Sequence, residues 1–312
     1  MIFSNNLDIV VVNWNSGHHL NDCINSIQKN GKAFVAKTII VDNGSTDGSE
    51  NILKNIPNVE LIRTGKNLGF GKACNLGAQK SKSKYLLFLN PDAALFSDTL
   101  SKALSFMQDP INAKVGICGV QLIDESGCVS RSCARLPTTF GLMAHAIGID
   151  RLLPHLGHPM LEWPHDRTRD VDHVIGAFFM MRRELFDSLN GFDEQFFVYL
   201  EDLDFSCRSR QAGWKSAYLA DVQAFHLGGG ASNQVKAKRL FYSLRSRLLY
   251  VVKHFSWAGA FLVILSTLFI EPISRSVLAL FRRSWPSMKE TWQGYAMLWR
   301  WLPKWFLRGV TR

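Results

Sequence analysis

Apolar positions along the first hundred residues fall into two alternating spacings. Residues 9–12 are an unbroken apolar run of strand length, and Leu20, Cys23, Ile24 and Ile27 then recur at i, i+3, i+4 and i+7, the stripe of an amphipathic helix. The alternation continues with strands predicted over 38–41, 59–62 and 85–89, a short helix over 51–56 and a longer one over 72–79. Strands that alternate with helices predict an α/β fold whose parallel sheet is covered on both faces. A fifth strand is predicted over 115–121, with a turn at Asp124-Glu125-Ser126-Gly127. Between 135 and 172 the periodicity is lost and Pro137, Pro154, Pro159 and Pro164 interrupt the chain, which predicts a loop-rich segment. Regularity returns with an apolar strand over 174–181 containing Gly176 and a helix over 183–189 stopped by Asn190-Gly191. A helix then runs to Gln211 and ends at Gly213, and a last strand over 222–225 delivers His226.

In open α/β sheets ligands bind beyond the carboxyl ends of the strands. Those positions are polar in this chain. Asn13 and Asn15 close the first strand, Asp42-Asn43-Gly44-Ser45-Thr46-Asp47 follows the second, Asn67-Leu68-Gly69-Phe70 the third and Asn90-Pro91-Asp92 the fourth. One Asp-Asn-Gly after a strand is a turn; four polar strand ends on one sheet edge predict a site. Asp92 suits a metal-bridged diphosphate, which needs few protein carboxylates because the phosphates supply most of the oxygens. His226, also at a strand end and followed by glycines, is the second candidate ligand. The acids Glu201, Asp202 and Asp204 would favour a helix N-terminus. The flanking Phe196, Phe197, Val198 and Tyr199 add desolvation, which lifts a carboxyl toward the working range of a general base.

Composition changes the picture mainly at the C-terminal end. With 47% hydrophobic and 20% charged residues the chain has an ordinary globular balance, which excludes disordered and low-complexity classes. The net charge of +10 is unevenly placed, since residues 236–312 hold 14 basic and 2 acidic residues. The same stretch holds six of the nine tryptophans, a mixture that suits a lipid headgroup interface better than a nucleic acid. Its longest apolar run, 257–270, is 14 residues long and stops at Glu271-Pro272, short of the ~20 a spanning helix needs. A peripheral or monotopic association is therefore expected. Six scattered cysteines without zinc-type spacing predict reduced, mostly buried thiols, and the opening residues lack a signal-peptide pattern, so a cytoplasmic setting is expected.

Together the motifs resemble the GT-A glycosyltransferases of family 2, and within them the bacterial rhamnosyltransferase-like branch. The resemblance spans residues 8–232. It rests on Val11-Val12-Asn13-Trp14-Asn15, the loop from Asp42 to Asp47, Asn67-Leu68-Gly69-Phe70 with Asn75, Asn90-Pro91-Asp92, Gly191-Phe192-Asp193-Glu194, Glu201-Asp202, and His226 with Gly228, Gly229 and Ser232. The implied fold is GT-A, a Rossmann-like mixed sheet covered by helices, with a C-terminal helical membrane-associating region. The expected organisation is a catalytic domain over 1–235, divided near residue 122 into donor and acceptor halves, and a tail over 236–312.

The resemblance further implies a nucleotide-sugar donor, dTDP- or UDP-linked, held by Asn13, Asn15, Asp42, Asn43, Asn67, Gly69, Phe70, Asn75, Asn90 and Asp92, with Asp42 and Asn43 near the base and ribose. It implies Mg2+ or Mn2+ on Asp92 and His226, and Asp202 as catalytic base with Glu201 as runner-up. Where many relatives carry Asp-x-Asp, this chain has Asn90 at the first position, so the metal role rests on Asp92. The implied reaction is inverting transfer of one sugar, L-rhamnose from dTDP-rhamnose, to a polyprenyl-diphosphate-linked saccharide in cell-surface polysaccharide synthesis. It would take place at an anionic membrane surface, on the cytoplasmic face of a bacterial inner membrane, with no nucleic acid partner.

Rival classes fit less well. A nicotinamide dehydrogenase would carry its glycine fingerprint in the first strand-to-helix turn, whereas Gly69-Phe70-Gly71 lies after the third strand and the pattern fails at Cys74. A nucleotidyltransferase or another nucleotide-binding Rossmann-like enzyme remains the alternative, although residues 13–19 supply no Lys or Arg for a phosphate loop.

Overall fold

The computed structural model describes residues 6–53, 56–228 and 236–311; Gly229 and Ser232 lie outside them. Strands β1 (Leu7–Asn13), β2 (Val35–Asp42), β3 (Val59–Arg63) and β4 (Tyr85–Leu89) are parallel, in the order β3-β2-β1-β4. The sheet then continues through β10 (Phe178–Arg182), β6 (Val115–Ile123), β11 (Lys215–His226) and β5 (Ala93–Leu95). β10 runs antiparallel to β4 and β6, so the sheet is mixed. A short strand, β8 (Arg169–Val171), adds to β11, while β7 (Cys133–Ala134) and β9 (His173–Val174) pair separately.

Alternate residues of the central strands enter two cores. Ile9 and Val11 face helices α1 (His19–Asn30) and α3 (Thr99–Gln108), whereas Val10 and Val12 face α2 (Phe70–Ala78) and α5 (Arg183–Ser188). Burial on both faces is why these strands read as continuous apolar runs. A third core joins α4 (Thr139–Ile147) and α6 (Glu201–Gln211) to the C-terminal helices α7 (Lys236–His254), α8 (Trp257–Leu265) and α10 (Trp285–Arg308), through Leu142, Leu203, Leu244, Val263 and Leu298, and α9 (Glu271–Phe281) packs against α10. Five of the six cysteines are buried and none is bridged.

Several sequence expectations need correction. The loop-rich segment contains α4, whose Thr138 hydroxyl caps Gly141 N–H and whose end is fixed by Gly148 at φ 80°. Residues 139–147 are apolar nearly all round, so they present no stripe. The expected strand over 174–181 is interrupted at 175–177, giving β9 and β10. The short helix over 51–56 is a 3-10 turn over Ser49–Leu53, and the last strand is the end of the twelve-residue β11.

The apolar run does not stop at Glu271-Pro272. A π-helical turn over Ser266–Ile270 carries α8 into α9, making one helix of 25 residues, Trp257–Phe281, whose most apolar 18-residue stretch has mean hydropathy 1.7. By length and composition it could cross a membrane. Glu271 is tolerated because Arg247 and Arg275 both pair with its buried carboxylate.

Candidate active site

The polar ends of β1 and β2 are knitted together. Asn13 Nδ2 donates to Asp42 Oδ1 at 2.9 Å and to Ser49 Oγ at 2.8 Å, both inside the protein. Asn15 is itself left-handed, φ 50°, and its Oδ1 accepts Thr46 N–H from the loop after β2 at 2.8 Å. Buried Asn43 spans to the loop after β3: its Nδ2 donates to Asn67 Oδ1 at 3.1 Å, and its Oδ1 accepts Leu68 N–H at 2.8 Å. Asn67 Oδ1 also accepts Gly69 N–H at 2.9 Å. Gly69 sits at φ 85°, and a Cβ there would lie 2.4 Å from the carbonyl oxygen of Phe197. That carbonyl accepts Phe70 N–H at 2.7 Å, tying the β3 loop to the segment that precedes α6. Asn75 joins α2 to the 191–194 turn through both ends of its amide, Nδ2 to Phe192 O at 2.8 Å and Oδ1 from Phe192 N–H at 2.9 Å.

Asp92 and His226 meet at the adjoining corner because β5 and β11 pair with His226 opposite Ala93. Asp92 Oδ1 lies 3.4 Å from His226 Nε2, and Asn90 Nδ2 lies 3.4 Å from the same nitrogen. Both side chains are largely but not fully buried. A carboxylate and an imidazole converging at a strand end, with an amide beside them, form a donor set whose chemistry fits a divalent cation.

The acids of α6 diverge. Asp202 Oδ2 accepts Gly176 N–H at 2.8 Å, and its Oδ1 accepts Leu203 N–H at 2.8 Å. The break between β9 and β10 is what turns the Gly176 N–H toward this carboxylate. Its close approach leaves little room there, since an added Cβ would stand 3.1 Å from Asp202 Oδ2. The chain enters α6 through Tyr199 and Leu200 at φ 68° and 65°. Consecutive left-handed non-glycine residues cost of order 1–3 kcal/mol each and persist where the surroundings over-determine them.

Glu201 points inward. Its Oε2 is buried with no hydrogen-bond partner among the described residues. Burial, and then the charge of Asp202, hold its carboxyl well above the usual carboxylate range. Burial thus favours the protonated form of Glu201, whereas Asp202 is the more open of the two. His173 is an addition that the sequence reading missed. It is buried, with Nε2 3.7 Å from Asp202 Oδ2 and Nδ1 3.0 Å from Ser206 Oγ. Burial lowers its basicity although Asp202 opposes that effect. Sequence alone carried no signal for this contact, because Asp172-His173 follows an aperiodic segment.

Asp204, fully buried, accepts from Arg208 Nε at 2.8 Å, Lys253 Nζ at 2.7 Å and His254 Nε2 at 2.7 Å. Burial alone would raise its pKa, but these cations hold it below the usual range. The last turn of α7 is thus clamped to the first turn of α6. The metal corner and Asp202 are joined too. Asn90 N–H donates to Ala177 O at 3.0 Å, next to the Gly176 that donates to Asp202.

A model of the family described as Glycosyl transferase family 2 matches residues 8–189. Over 277 residues the chain is 27% identical to the N-acetylglucosaminyl-diphospho-decaprenol L-rhamnosyltransferase of Mycobacterium tuberculosis, covering 80% of this chain and 86% of that one. It is 26% identical over 227 residues to the rhamnosyltransferase WbbL of Escherichia coli K12, covering 70% and 82%. Among solved structures it resembles a mannosyltransferase from Pyrobaculum calidifontis in complex with GDP-Man and Mn2+, with TM-score 0.57, 16% identity and coverage of 96% and 86%. A second, GalNAc-T7 with UDP, GalNAc and Mn2+, has TM-score 0.53 and 17% identity, covering 71% of this chain and 43% of that one. At these identities the two structures share its fold.

Proposed function

Since the chain belongs to glycosyl transferase family 2 and is a glycosyltransferase, we propose that it moves a single L-rhamnose from dTDP-rhamnose to a lipid-linked saccharide, with inversion at the anomeric carbon. The sugar and the acceptor are suggested by the relative that acts as an N-acetylglucosaminyl-diphospho-decaprenol L-rhamnosyltransferase. The chemistry is supported by one structural observation. Two consecutive residues, Gly176 and Ala177, bind Asp202 on one side and the Asn90-Pro91-Asp92 corner on the other, so base and diphosphate site are held by one short backbone segment.

Asp202 takes the proton of the acceptor hydroxyl as that oxygen attacks the anomeric carbon from the face opposite the nucleoside diphosphate. His173 and Gly176 N–H orient its carboxylate. Asn13, Asp42, Asn43 and Asn67 shape the nucleoside end by fixing the loops after β1, β2 and β3. Asp92 and His226 would hold Mg2+ or Mn2+, which supplies neutralisation of charge on the leaving diphosphate. No covalent intermediate is required, which is why one base suffices. The exposed apolar residues of the C-terminal helices support a working position at an anionic membrane, on the cytoplasmic side, where a polyprenyl-diphosphate acceptor would be embedded.

The test pairs purified protein with a short-chain prenyl-diphospho-N-acetylglucosamine and a panel of nucleotide sugars. Turnover with dTDP-rhamnose alone, with the anomeric configuration of the product inverted as read from its one-bond C1–H1 coupling, is expected. Preference for another donor overturns the sugar assignment, and retention of configuration overturns the mechanism. Chelation should abolish transfer and added Mn2+ or Mg2+ restore it; full activity after chelation removes the metal from the scheme.

A further inference from the structure

On the outer side of the molecule, the turn after α4 and the face of α9 enclose a cavity of about 300 Å³ to which none of the strand-end residues contributes. Its walls are of two kinds. Ile147, Leu152, Val277 and Phe281 are apolar and exposed, Leu152 and Phe281 by more than four-fifths. Arg151 and Arg275 bring cationic groups to the same space. Arg275 binds the buried Glu271, but Glu271 is shared with Arg247, so two guanidinium groups face one carboxylate. Arg151 is exposed and makes no ion pair among the described residues. The His145 ring is engaged by Asp150, Nδ1 to Oδ2 at 2.6 Å. The cavity therefore carries a net positive charge inside an apolar rim.

We propose that this cavity seats the phosphodiester headgroup of an anionic membrane phospholipid, with Arg151 and Arg275 on the phosphate and Leu152, Val277 and Phe281 among the first acyl methylenes. A small inorganic anion would use the arginines and leave the rim in water; a lipid uses both. The location agrees, because Val277 and Phe281 belong to the apolar helix Trp257–Phe281, only 28% of whose most apolar window is buried within the protein. Arginine binds phosphate in a planar, bidentate manner that a diffuse surface charge cannot match. The proposal rests on the membrane reading above, and adds to it a defined site and a lipid class.

The experiment is flotation of the full-length protein with vesicles of phosphatidylcholine, with and without phosphatidylglycerol. A surface cation contributes about fivefold to binding through the general potential, so Arg283→Gln, beside Trp285 on the same face, should lose roughly that much. Arg151→Gln should lose roughly tenfold or more on phosphatidylglycerol vesicles and little on phosphatidylcholine. Leu152→Ser should weaken binding at any salt concentration. All three should keep acceptor-independent hydrolysis of nucleotide sugar, which shows that they fold. Equal losses for Arg151→Gln and Arg283→Gln would overturn the site but leave a general electrostatic attraction standing. Binding that ignores phosphatidylglycerol also overturns it, as does competition by inorganic phosphate at the same concentration as lipid phosphate. Self-association of the wild type without lipid, lost in Leu152→Ser, would replace the lipid with a second copy of the chain. Failure of the wild type to float with any vesicle would bring down the membrane reading itself.

Discussion

Glu201 and Asp202 are neighbours in sequence with opposite surroundings, and this divides their chemistry. Asp202 receives two backbone N–H groups and faces His173, so its carboxylate is held in one orientation. Removing a general base costs typically 10²–10⁴ in rate. Asp202→Asn should therefore lower kcat by about that range with donor Kd unchanged, measured by turnover and by nucleotide-sugar titration. A variant whose donor affinity falls instead would place Asp202 at the nucleotide. Glu201 holds its proton to higher pH in the folded state than in the unfolded chain, where it loses it above its ordinary value of 4.5. Between these two values the folded state binds more protons, so stability falls as pH rises. Glu201→Gln, neutral at every pH, should leave Tm unchanged near pH 4 and raise it progressively relative to wild type toward pH 8. A Tm difference independent of pH would mean that Glu201 is ionised in its pocket.

Helix α6 depends on α7 in a way that local sequence could not disclose. Asp204 in isolation is an ordinary acid in a helical first turn; in the fold it is the shared acceptor of Lys253, His254 and Arg208. Burial pulls the pKa of His254 down, but its interactions with Asp204 and Cys207 together outweigh this and lift the pKa from 6.5 to about 9. The stabilisation it gives is fully present below pH 6.5 and lost as pH rises through about 9. His254→Gln should lower Tm most below pH 6.5, with the gap to wild type closing by pH 9, and should reduce kcat more than it raises the donor KM. A gap that does not vary with pH would show the ring to be neutral. The β1 to β4 strand ends were legible because a strand and the loop that ends it are adjacent in sequence. Gly176 and Asp202, 26 residues apart, meet only because β10 reverses direction, and α4 was hidden because its apolar surface has no single face.

At the scale of the molecule, the basic and tryptophan-rich character of residues 236–312 was visible in composition, but its form was not. The run that looked too short continues through a π turn, and the helices are built into the core beside α6 rather than trailing from it. Phe196, Leu203 and Cys207 share that core with Leu244, Leu248 and Tyr250. Cutting the chain at residue 235 would thus expose the underside of α6 and remove two partners of Asp204, so point variants on the outer face are the sounder probe of membrane association. That face offers both kinds of attraction. Trp257, Phe281 and Trp285 are each more than 70% exposed, and Arg282 and Arg283 stand between the last two. Charge attraction is screened over about 10 Å at 0.1 M salt and about 3 Å at 1 M, whereas transfer of apolar surface is not. Vesicle binding by the wild type should therefore fall with salt to a plateau above zero. Arg282→Gln with Arg283→Gln should lower the low-salt limb and leave the plateau, and Phe281→Ser with Trp285→Ser should lower the plateau and leave the salt-dependent part. If high salt releases the wild type completely, the apolar face does not enter the bilayer, and the attraction is purely electrostatic.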